Sequence, residues 1–508
     1  MIKNILEYFE KTVVKHNEKV AVVDGERQIT FKELAKQAQA VGTAINEISS
    51  RQVNLPIGIF LPKSIESIVA DIGTVYSGNA FMNLDVKTPM PRISIILNVV
   101  QPLYIITNKC YFDTIKSIYS QDKIILIEDI ANYSSKVELL KEVLKSKIDT
   151  DPFCLINTSG STGIPKSVIL NHKSFIDLTD WALTNIKWND REIMGSLVPI
   201  VFDVHVFELC MLMSNGNAII VIPDTFAAFP VKILQLMNQH KVSYIFWVPT
   251  IMVNIANMDL LSKLSLPYLK KIWFIGEVFP TRQFNYWYKH LPNREFINLY
   301  GPIEITLACT YFVIDRGFDD NEPLPIGKPF RNTDILVLDE NNNLIIEPNI
   351  EGELCVRGTS LAMGYYNNYE KTQAAFIQNP LNKSYVEIIY RTGDIVYYNC
   401  QKELVFKGRR DSLIKRLGYR IELGEIEHVI VNTLKLVNNG CAVYDFSKKE
   451  IVFFYESEVE QSIAEFRKNI GKALPNYMIP NKYIRKDILP RNTNGKIDRL
   501  KLKEEVNN

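Results

Sequence analysis

Short apolar runs rich in β-branched and aromatic residues alternate with amphipathic stretches of helical period through most of the chain. No other feature limits the fold as strongly. The runs include "IGIFL" (57–61), "LYIIT" (103–107), "KIILI" (123–127), "NAIIVI" (217–222), "SYIFWV" (243–248) and "KIWFIG" (271–276), with helical segments at 33–48, 64–76 and 230–240 between them. Strands spaced by helices imply α/β architecture with largely parallel sheets, whose ligands sit at the carboxyl ends of strands. From about residue 330 the texture changes to turn-punctuated strands ("DILVLDENNNLII", "GELCVRG", "DIVYY", "ELVFKGR"), which predicts a smaller, mainly β subdomain over 330–410. The basic stretch "KGRRDSLIKRLGYR" (407–420) reads as a hinge, and the last hundred residues read as helix, strand, strand, helix, a small α+β domain. The expected division is a large N-terminal core, 1–410, and a mobile C-terminal domain, 411–508.

At 508 residues the chain is long enough for two to four such units, and 47% apolar with 23% charged residues is ordinary globular composition. A formal net charge of +1 provides no global field for nucleic acid or anionic lipid, so any anionic ligand needs a local site. Neither nucleic-acid binding nor membrane insertion is expected. The most apolar stretch, 196–223, is interrupted by Asp203, His205 and Glu208, and the opening "MIKNILEYFEKTVVKHNEKVAV" lacks the unbroken apolar core of a signal peptide. Seven scattered cysteines without a CxxC pair suit a reducing compartment, and a cytoplasmic location is expected.

The stretch "TSGSTGIPKS" (158–167) follows the apolar run "FCLIN" and combines glycines, hydroxyl residues and a lysine. It is not a Walker A loop, because Pro165 stands where the second glycine is required, and its spacing does not make a G-x-S-x-G nucleophile elbow. Glycines let backbone N–H groups converge on an anion, and Lys166 adds a point charge against phosphate. An ordinary flexible turn accounts for the same residues equally well. In "NLYGPIEIT" (298–306), Tyr300 could stack on a purine and Glu304 could ligate Mg²⁺ bridging phosphates; the alternative is a strand end with a solvated glutamate. In "YRTGD" (390–394), Asp394 could accept hydrogen bonds from ribose hydroxyls or merely close a turn. "NTNGKIDR" (492–499) presents Lys496 after a glycine turn, where a lysine is ordinarily just solvated.

Taken together and in order, these stretches resemble the adenylate-forming superfamily, most closely its amino-acid-activating adenylation domains. The resemblance spans nearly the whole chain: "ITFKELAKQAQ" (29–39), "SGNAFMNLDVKTPMPRI" (77–93), "TSGSTGIPKSVILNH" (158–172), "FDVHVFE" (202–208), "NLYGPIEIT", "GELCVRGTSLAMGYYNN" (352–368), "YRTGDIV", "KGRRDSLIKRLGYRIELGEIE" (407–427), "LPNYMIP" (474–480) and "NTNGKIDR". It implies ATP and Mg²⁺ as cofactors and two half-reactions: attack of a substrate carboxylate on the α-phosphate of ATP, then attack of a phosphopantetheine thiol on the resulting acyl-adenylate. Two anions must meet in the first step, so cations must be in place beforehand. The resemblance assigns that catalytic role to Lys496 and the metal to Glu304. Nucleotide contacts fall to Thr158, Ser159, Gly160, Ser161, Thr162, Gly163, Lys166, Gly276, Tyr300, Gly301, Asp394 and Arg409. The C-terminal domain would pivot at Asp411, exchanging Lys496 for a thioester-forming face that holds Lys415 and Gly418.

Asp203 stands where amino-acid-activating members keep a carboxylate for the substrate ammonium. A carboxylate in an apolar run is costly without a cationic partner, which favours an amino acid over a simple carboxylic acid. By alignment the pocket is lined by Asp203, Val204, Phe207, Phe246, Trp273, Ile275, Leu299, Leu307 and Ala308. This apolar, aromatic wall suits a small apolar amino acid such as proline, alanine or valine. The three aromatics could equally be ordinary core residues. Only twelve residues follow Lys496, without a carrier segment, so loading of a separate carrier protein in trans is expected. D-alanine–carrier protein ligases share that layout, as do single-domain prolyl-activating enzymes. "LPNYMIP" and "FIGEVFP" favour the D-alanine branch, whereas Ile275 in place of its cysteine and "DVHVFE" in place of its "DLSVMD" do not. Ile303 departs from the threonine of "YGPTE", Ser167 from a glycine after the loop lysine, and Leu413 and Leu417 from a glutamine and an arginine in the hinge motif. An acyl- or aryl-CoA ligase is the nearest rival enzyme, and a silent nucleotide-binding scaffold on the same fold is the non-enzymatic alternative.

Overall fold

Period-two alternation within the strands decides how the sheets are covered. In the computed structural model, which describes residues 2–131, 133–160, 164–410, 413–457, 462–491 and 497–507, Tyr244–Trp247 pairs in parallel with Lys271–Phe274, and this in turn with Glu295–Tyr300. Phe246, Trp273, Ile297 and Leu299 enter one apolar cluster, while Ile245, Trp247, Ile272, Phe274 and Phe296 enter another. Both faces of the sheet are therefore buried, which is why its strands read as continuous apolar runs.

The chain divides into two compact units. The first comprises Met1–Val86, Gln101–Ile156 and Val168–Gly408. Among the described residues it holds a nine-stranded sheet in the order Lys328–Pro329, Thr310–Val313, Glu295–Tyr300, Lys271–Phe274, Tyr244–Trp247, Ile193–Ser196, Ala218–Val221, Val20–Asp24, Arg27–Thr30. The central pairs are parallel and helices connect them, as the alternation required. A seven-stranded sheet centred on Ala80–Asn83 and Pro56–Phe60 repeats the pattern. Thr333–Leu338, Gly352–Gly358, Ile388–Tyr398, Phe376–Gln378 and Leu404–Arg409 form a five-stranded β sheet, the mainly β region expected after 330. The helix Phe31–Ile48 opens on a capping box, with Thr30 accepting from the Glu33 N–H and Glu33 accepting from that of Thr30, worth about 1 kcal/mol.

The second unit comprises Lys87–Val100, Asn157–Ser167 and Arg409–Asn508. Its three-stranded sheet pairs Gly440–Asp445 with Glu450–Glu456 and the latter with Lys482–Lys486, and a cluster including Ile426, Ile430, Phe453, Phe466 and Ile470 packs the helices to it. Within the stretch read as a hinge, 407–409 close the strand Leu404–Arg409 and 413–420 belong to a hairpin. Leu413–Arg416 and Tyr419–Glu422 form an antiparallel hairpin whose two-residue turn, Leu417–Gly418, has φ of 55° and 80°. Positive φ at both central positions is the geometry that follows strand twist in a tight hairpin. The Tyr419 ring stacks on Tyr477, from "LPNYMIP", with centroids 3.6 Å apart, and Arg416 Nη1 donates to the Tyr477 carbonyl at 2.9 Å. No helix among the described residues is long and apolar enough to cross a membrane.

Candidate functional site

Three parallel strands of the first unit, ending at Trp247, Phe274 and Tyr300, lie side by side, so the segments leaving their carboxyl ends are neighbours. Ile275 and Gly276 leave one, and Gly301 leaves the next. Gly276 has φ of 96°, a conformation costly for any residue with a Cβ. At Gly301 the constraint is space. A Cβ there would stand 2.5 Å from Ala308 Cα and 2.7 Å from the Leu307 carbonyl oxygen, both backbone atoms unable to step aside. Gly301→Ala is expected to cost about 1–3 kcal/mol through overpacking. A lowered thermal midpoint checks it.

Leu307 and Ala308 belong to a strained turn. After the single helical turn Ile303–Ile305, both Thr306 and Leu307 have positive φ, 53° and 69°. Left-handed geometry at a β-branched residue is rare, and the buried Thr306 hydroxyl has no partner. Such strain persists where the surroundings over-determine it, commonly at a ligand site.

The apolar candidates are brought together. Val204, Phe207, Phe246, Trp273, Ile275, Leu299, Leu307 and Ala308 are all buried in one cluster. The Phe207 ring stacks on Trp273 at 5.8 Å and 24°, and Phe246 meets both edge-on, at 5.8 Å from Phe207 and 5.7 Å from Trp273. Trp273 Nε1 donates to Glu295 Oε1 at 3.4 Å, and burial raises the Glu295 carboxyl above its usual range. The indole thus has a packed face on one side and a hydrogen-bonded edge, which fixes its plane.

Asp203 is the first residue of the helix Asp203–Asn215 and is half-buried. A carboxylate on a helix's first turn gains about 0.3–1 kcal/mol from the aligned N–H groups. Phe207 follows one turn later, so Asp203 shares its face and stands at the rim of the aromatic wall.

Two polar candidates are bonded to each other. The Tyr300 hydroxyl donates to Asp394 Oδ2, and both side chains are buried. The turn before Asp394 is held by Thr392, whose Oγ1 donates to the Leu354 carbonyl at 2.7 Å and accepts from the Asp394 N–H at 3.0 Å. Glu304 is fully buried, and its Oε1 accepts from the Tyr365 hydroxyl at 2.9 Å. Tyr365 was not assigned a role from sequence; only its place in "GYYNN" could have signalled it. Among the described residues no cluster of three or more His, Cys, Asp or Glu side chains could hold a metal. A cation at Glu304 would take its other oxygens from ligand and water. That is the usual manner of Mg²⁺, which keeps one or two carboxylates beside phosphate.

In the second unit, Ser159 Oγ donates to the Arg420 carbonyl at 2.6 Å and accepts from the Glu422 N–H at 3.1 Å, tying the 158–160 segment to the hairpin. Thr158 Oγ1 donates to the Lys166 carbonyl at 3.5 Å, and Gly160 has no room for a Cβ, which would lie 2.0 Å from the Ile164 carbonyl oxygen. Arg92 and Glu425 form a buried ion pair. Arg409 ends the strand Leu404–Arg409, Lys415 lies on the hairpin and Gly418 at its turn. Ser161, Thr162, Gly163, Asp411 and Lys496 lie outside the described residues.

The sequence profile of the family described as AMP-binding enzyme matches residues 9–366. The chain is 30% identical over 504 residues to zwittermicin A synthase ZmaJ of Bacillus cereus, covering 97% of this chain and 94% of that protein. It is 29% identical over 505 residues to gramicidin S synthase 1 of Brevibacillus brevis, covering 99% of this chain but 44% of the synthase, so it spans less than half that relative's length. Its fold matches the crystal structure of the Vibrio cholerae adenylation domain AlmE in complex with glycyl-adenosine-5'-phosphate. The TM-score is 0.86 at 20% identity, over 99% of this chain and 98% of that one.

Proposed function

We propose that this chain, which belongs to the AMP-binding enzyme family, activates a small apolar α-amino acid as its aminoacyl-adenylate and transfers it to the phosphopantetheine thiol of a carrier protein. The enzyme is an AMP-forming ligase of the adenylation type. In the first step a carboxylate oxygen of the amino acid bonds to the α-phosphorus of ATP, the bond from that phosphorus to the bridging oxygen breaks, and pyrophosphate leaves. In the second step the thiolate sulfur bonds to the acyl carbon and AMP leaves.

The observation that carries this reading is the carboxylate of Asp203 at the rim of a wall that is otherwise apolar and aromatic. It can accept hydrogen bonds from a substrate ammonium, while Val204, Phe207, Phe246, Trp273, Ile275, Leu299, Leu307 and Ala308 offer the side chain only apolar surface. Three rings packed on one another leave little volume, which favours a small side chain. Among these wall residues Asp203 is the one that carries a charge, which disfavours a Lys, Arg, Asp or Glu substrate. Tyr300, held by Asp394, offers an aromatic face to the adenine, and Asp394 offers acceptors to the ribose. Gly276 and Gly301 let backbone approach the nucleotide. The 158–167 loop, with Ser161, Thr162, Gly163 and Lys166, takes the β- and γ-phosphates, and Arg409 lies near the ribose. Glu304, oriented by Tyr365, would hold Mg²⁺, which when bound neutralises phosphate charge. Lys496 supplies a cation between carboxylate and α-phosphate. Asp411 serves as the pivot between a core ending near 410 and the domain that follows, and Lys415 and Gly418 belong to the thioester-forming face.

Amino-acid-dependent ATP–pyrophosphate exchange, measured against the proteinogenic amino acids and D-alanine, tests the proposal. Exchange is expected with one or a few small apolar amino acids, followed by thioester formation on a phosphopantetheinylated carrier. Exchange confined to D-alanine narrows the function to D-alanine–carrier protein ligation. Silence with every amino acid, coupled with CoA-dependent AMP release from an acid lacking the amine, replaces it with an acyl- or aryl-CoA ligase.

A further inference from the structure

The helix Asp203–Asn215 is buried all round from Val204 to Met213, and the side opposite Phe207 carries two polar residues, His205 and Glu208. Successive residues turn by about 100°, so Asp203 and Phe207 lie within about 40° of each other, whereas His205 and Glu208 lie at about 200° and 140°. Each of these two polar residues meets a polar partner inside the protein. His205 Nε2 is 2.9 Å from Asp71 Oδ2, on the helix Ile65–Tyr76, and both side chains are fully buried. Glu208 accepts from the Ser196 hydroxyl at the end of the strand Ile193–Ser196. Lys63 Nζ donates to Ser196 Oγ and to the Val198 carbonyl at 2.7 Å, and lies 3.8 Å from Glu208 Oε2.

These contacts cost burial energy. Desolvation raises the Asp71 and Glu208 carboxyls and lowers the Lys63 ammonium and the His205 imidazole. His205 Nδ1 and Asp71 Oδ1 are buried without partners. Their surroundings do not make a metal centre among the described residues. A buried polar pair with two orphaned atoms is a poor source of stability compared with an apolar pair. What it supplies instead is direction: apolar side chains would let the helix turn about its axis, while a hydrogen bond on each of two turns would not.

We infer that His205 and Asp71, with the Glu208–Ser196–Lys63 group, set the rotation of the Asp203–Asn215 helix and so aim Asp203 and Phe207 at the amino acid. His205 and Asp71 are positioning residues, and the inference rests on the reading that Asp203 binds the substrate ammonium. The double variant Asp71→Leu/His205→Leu removes both members of the pair together, leaving the neighbouring Asn83 amide as the one side chain that loses a partner, and a thermal midpoint near that of the wild type is expected. Its KM for the amino acid in ATP–pyrophosphate exchange is expected to rise about tenfold or more, since displacements of an ångström at a reacting group cost that much or more. KM for ATP should stay within about twofold, because the nucleotide is held elsewhere. His205→Asn, too short to reach Asp71, should show the same split. His205→Gln, whose amide nitrogen falls near the Nε2 position, should restore the wild-type value. An unchanged amino-acid KM in the double variant or in His205→Asn overturns the inference, as does a parallel rise in both KM values. Asp203→Asn separates the two claims. If it leaves the amino-acid KM unchanged, the ammonium reading itself fails. If it raises that KM while the double variant does not, only the positioning role fails.

Discussion

Lys496→Ala is expected to lower amino-acid-dependent ATP–pyrophosphate exchange by about 10²–10³-fold, the usual loss on removing one preorganised charge from a transition state. The magnitude follows from the meeting of two anions. At about 4 Å and an effective dielectric near 20, a carboxylate and one phosphate charge repel by about 4 kcal/mol. A lysine between them offsets a repulsion of that size, and about 2.7–4 kcal/mol is the free-energy equivalent of the predicted loss. No general base is required, because the nucleophile is already ionised. The thioester step has no carboxylate–phosphate encounter, so transfer from a supplied aminoacyl-adenylate to the carrier should proceed at close to the normal rate. Comparing exchange with single-turnover transfer in the same variant checks both halves. Wild-type exchange in Lys496→Ala would remove the residue from the mechanism.

The architecture was legible because its signals are local. Apolar runs of strand length separated by helical periods gave the parallel sheets, and the helical segment expected at 33–48 lies within the helix Phe31–Ile48. Which strand residues share a face was not legible. Phe246 and Trp273 lie in runs that are apolar on both sides, and only the two clusters separate them from Ile245 and Trp247. The hairpin 413–422 was hidden for another reason. Its strands are half charged, and its turn is Leu417–Gly418 rather than the Asn-Gly that announces such a turn. At the site, Tyr300 and Asp394 were each recognisable by type and neighbours, but the bond between them joins positions 94 apart. The same holds for His205 and Asp71, 134 positions apart, where nothing in either segment names the other. Residue chemistry can be read along the chain; mutual orientation comes only with the tertiary fold.

Asp203→Asn should reduce kcat/KM for the amino acid by about 10²-fold, within the 2–5 kcal/mol lost when one member of a hydrogen-bonded charge pair is removed. Two features keep the expectation from the upper end: the side chain is half-buried, so water screens part of the interaction, and asparagine retains one acceptor. Loss of stability cannot account for an effect of this size. The helix-terminal contribution of the carboxylate is about 0.3–1 kcal/mol, too small to unfold the protein or displace its first turn. The decisive comparison uses the same acid with and without its amine. Wild-type enzyme should strongly prefer the amino acid, because an acid lacking the ammonium forgoes the charge-assisted hydrogen bonds that Asp203 can accept. In Asp203→Asn the preference should collapse, with activity toward the des-amino acid unchanged or improved while activity toward the amino acid falls. If both substrates lose activity in proportion, Asp203 is not reading the ammonium, and the aromatic wall of Phe207, Phe246 and Trp273 is then left without the charge that makes it a site for amino acids.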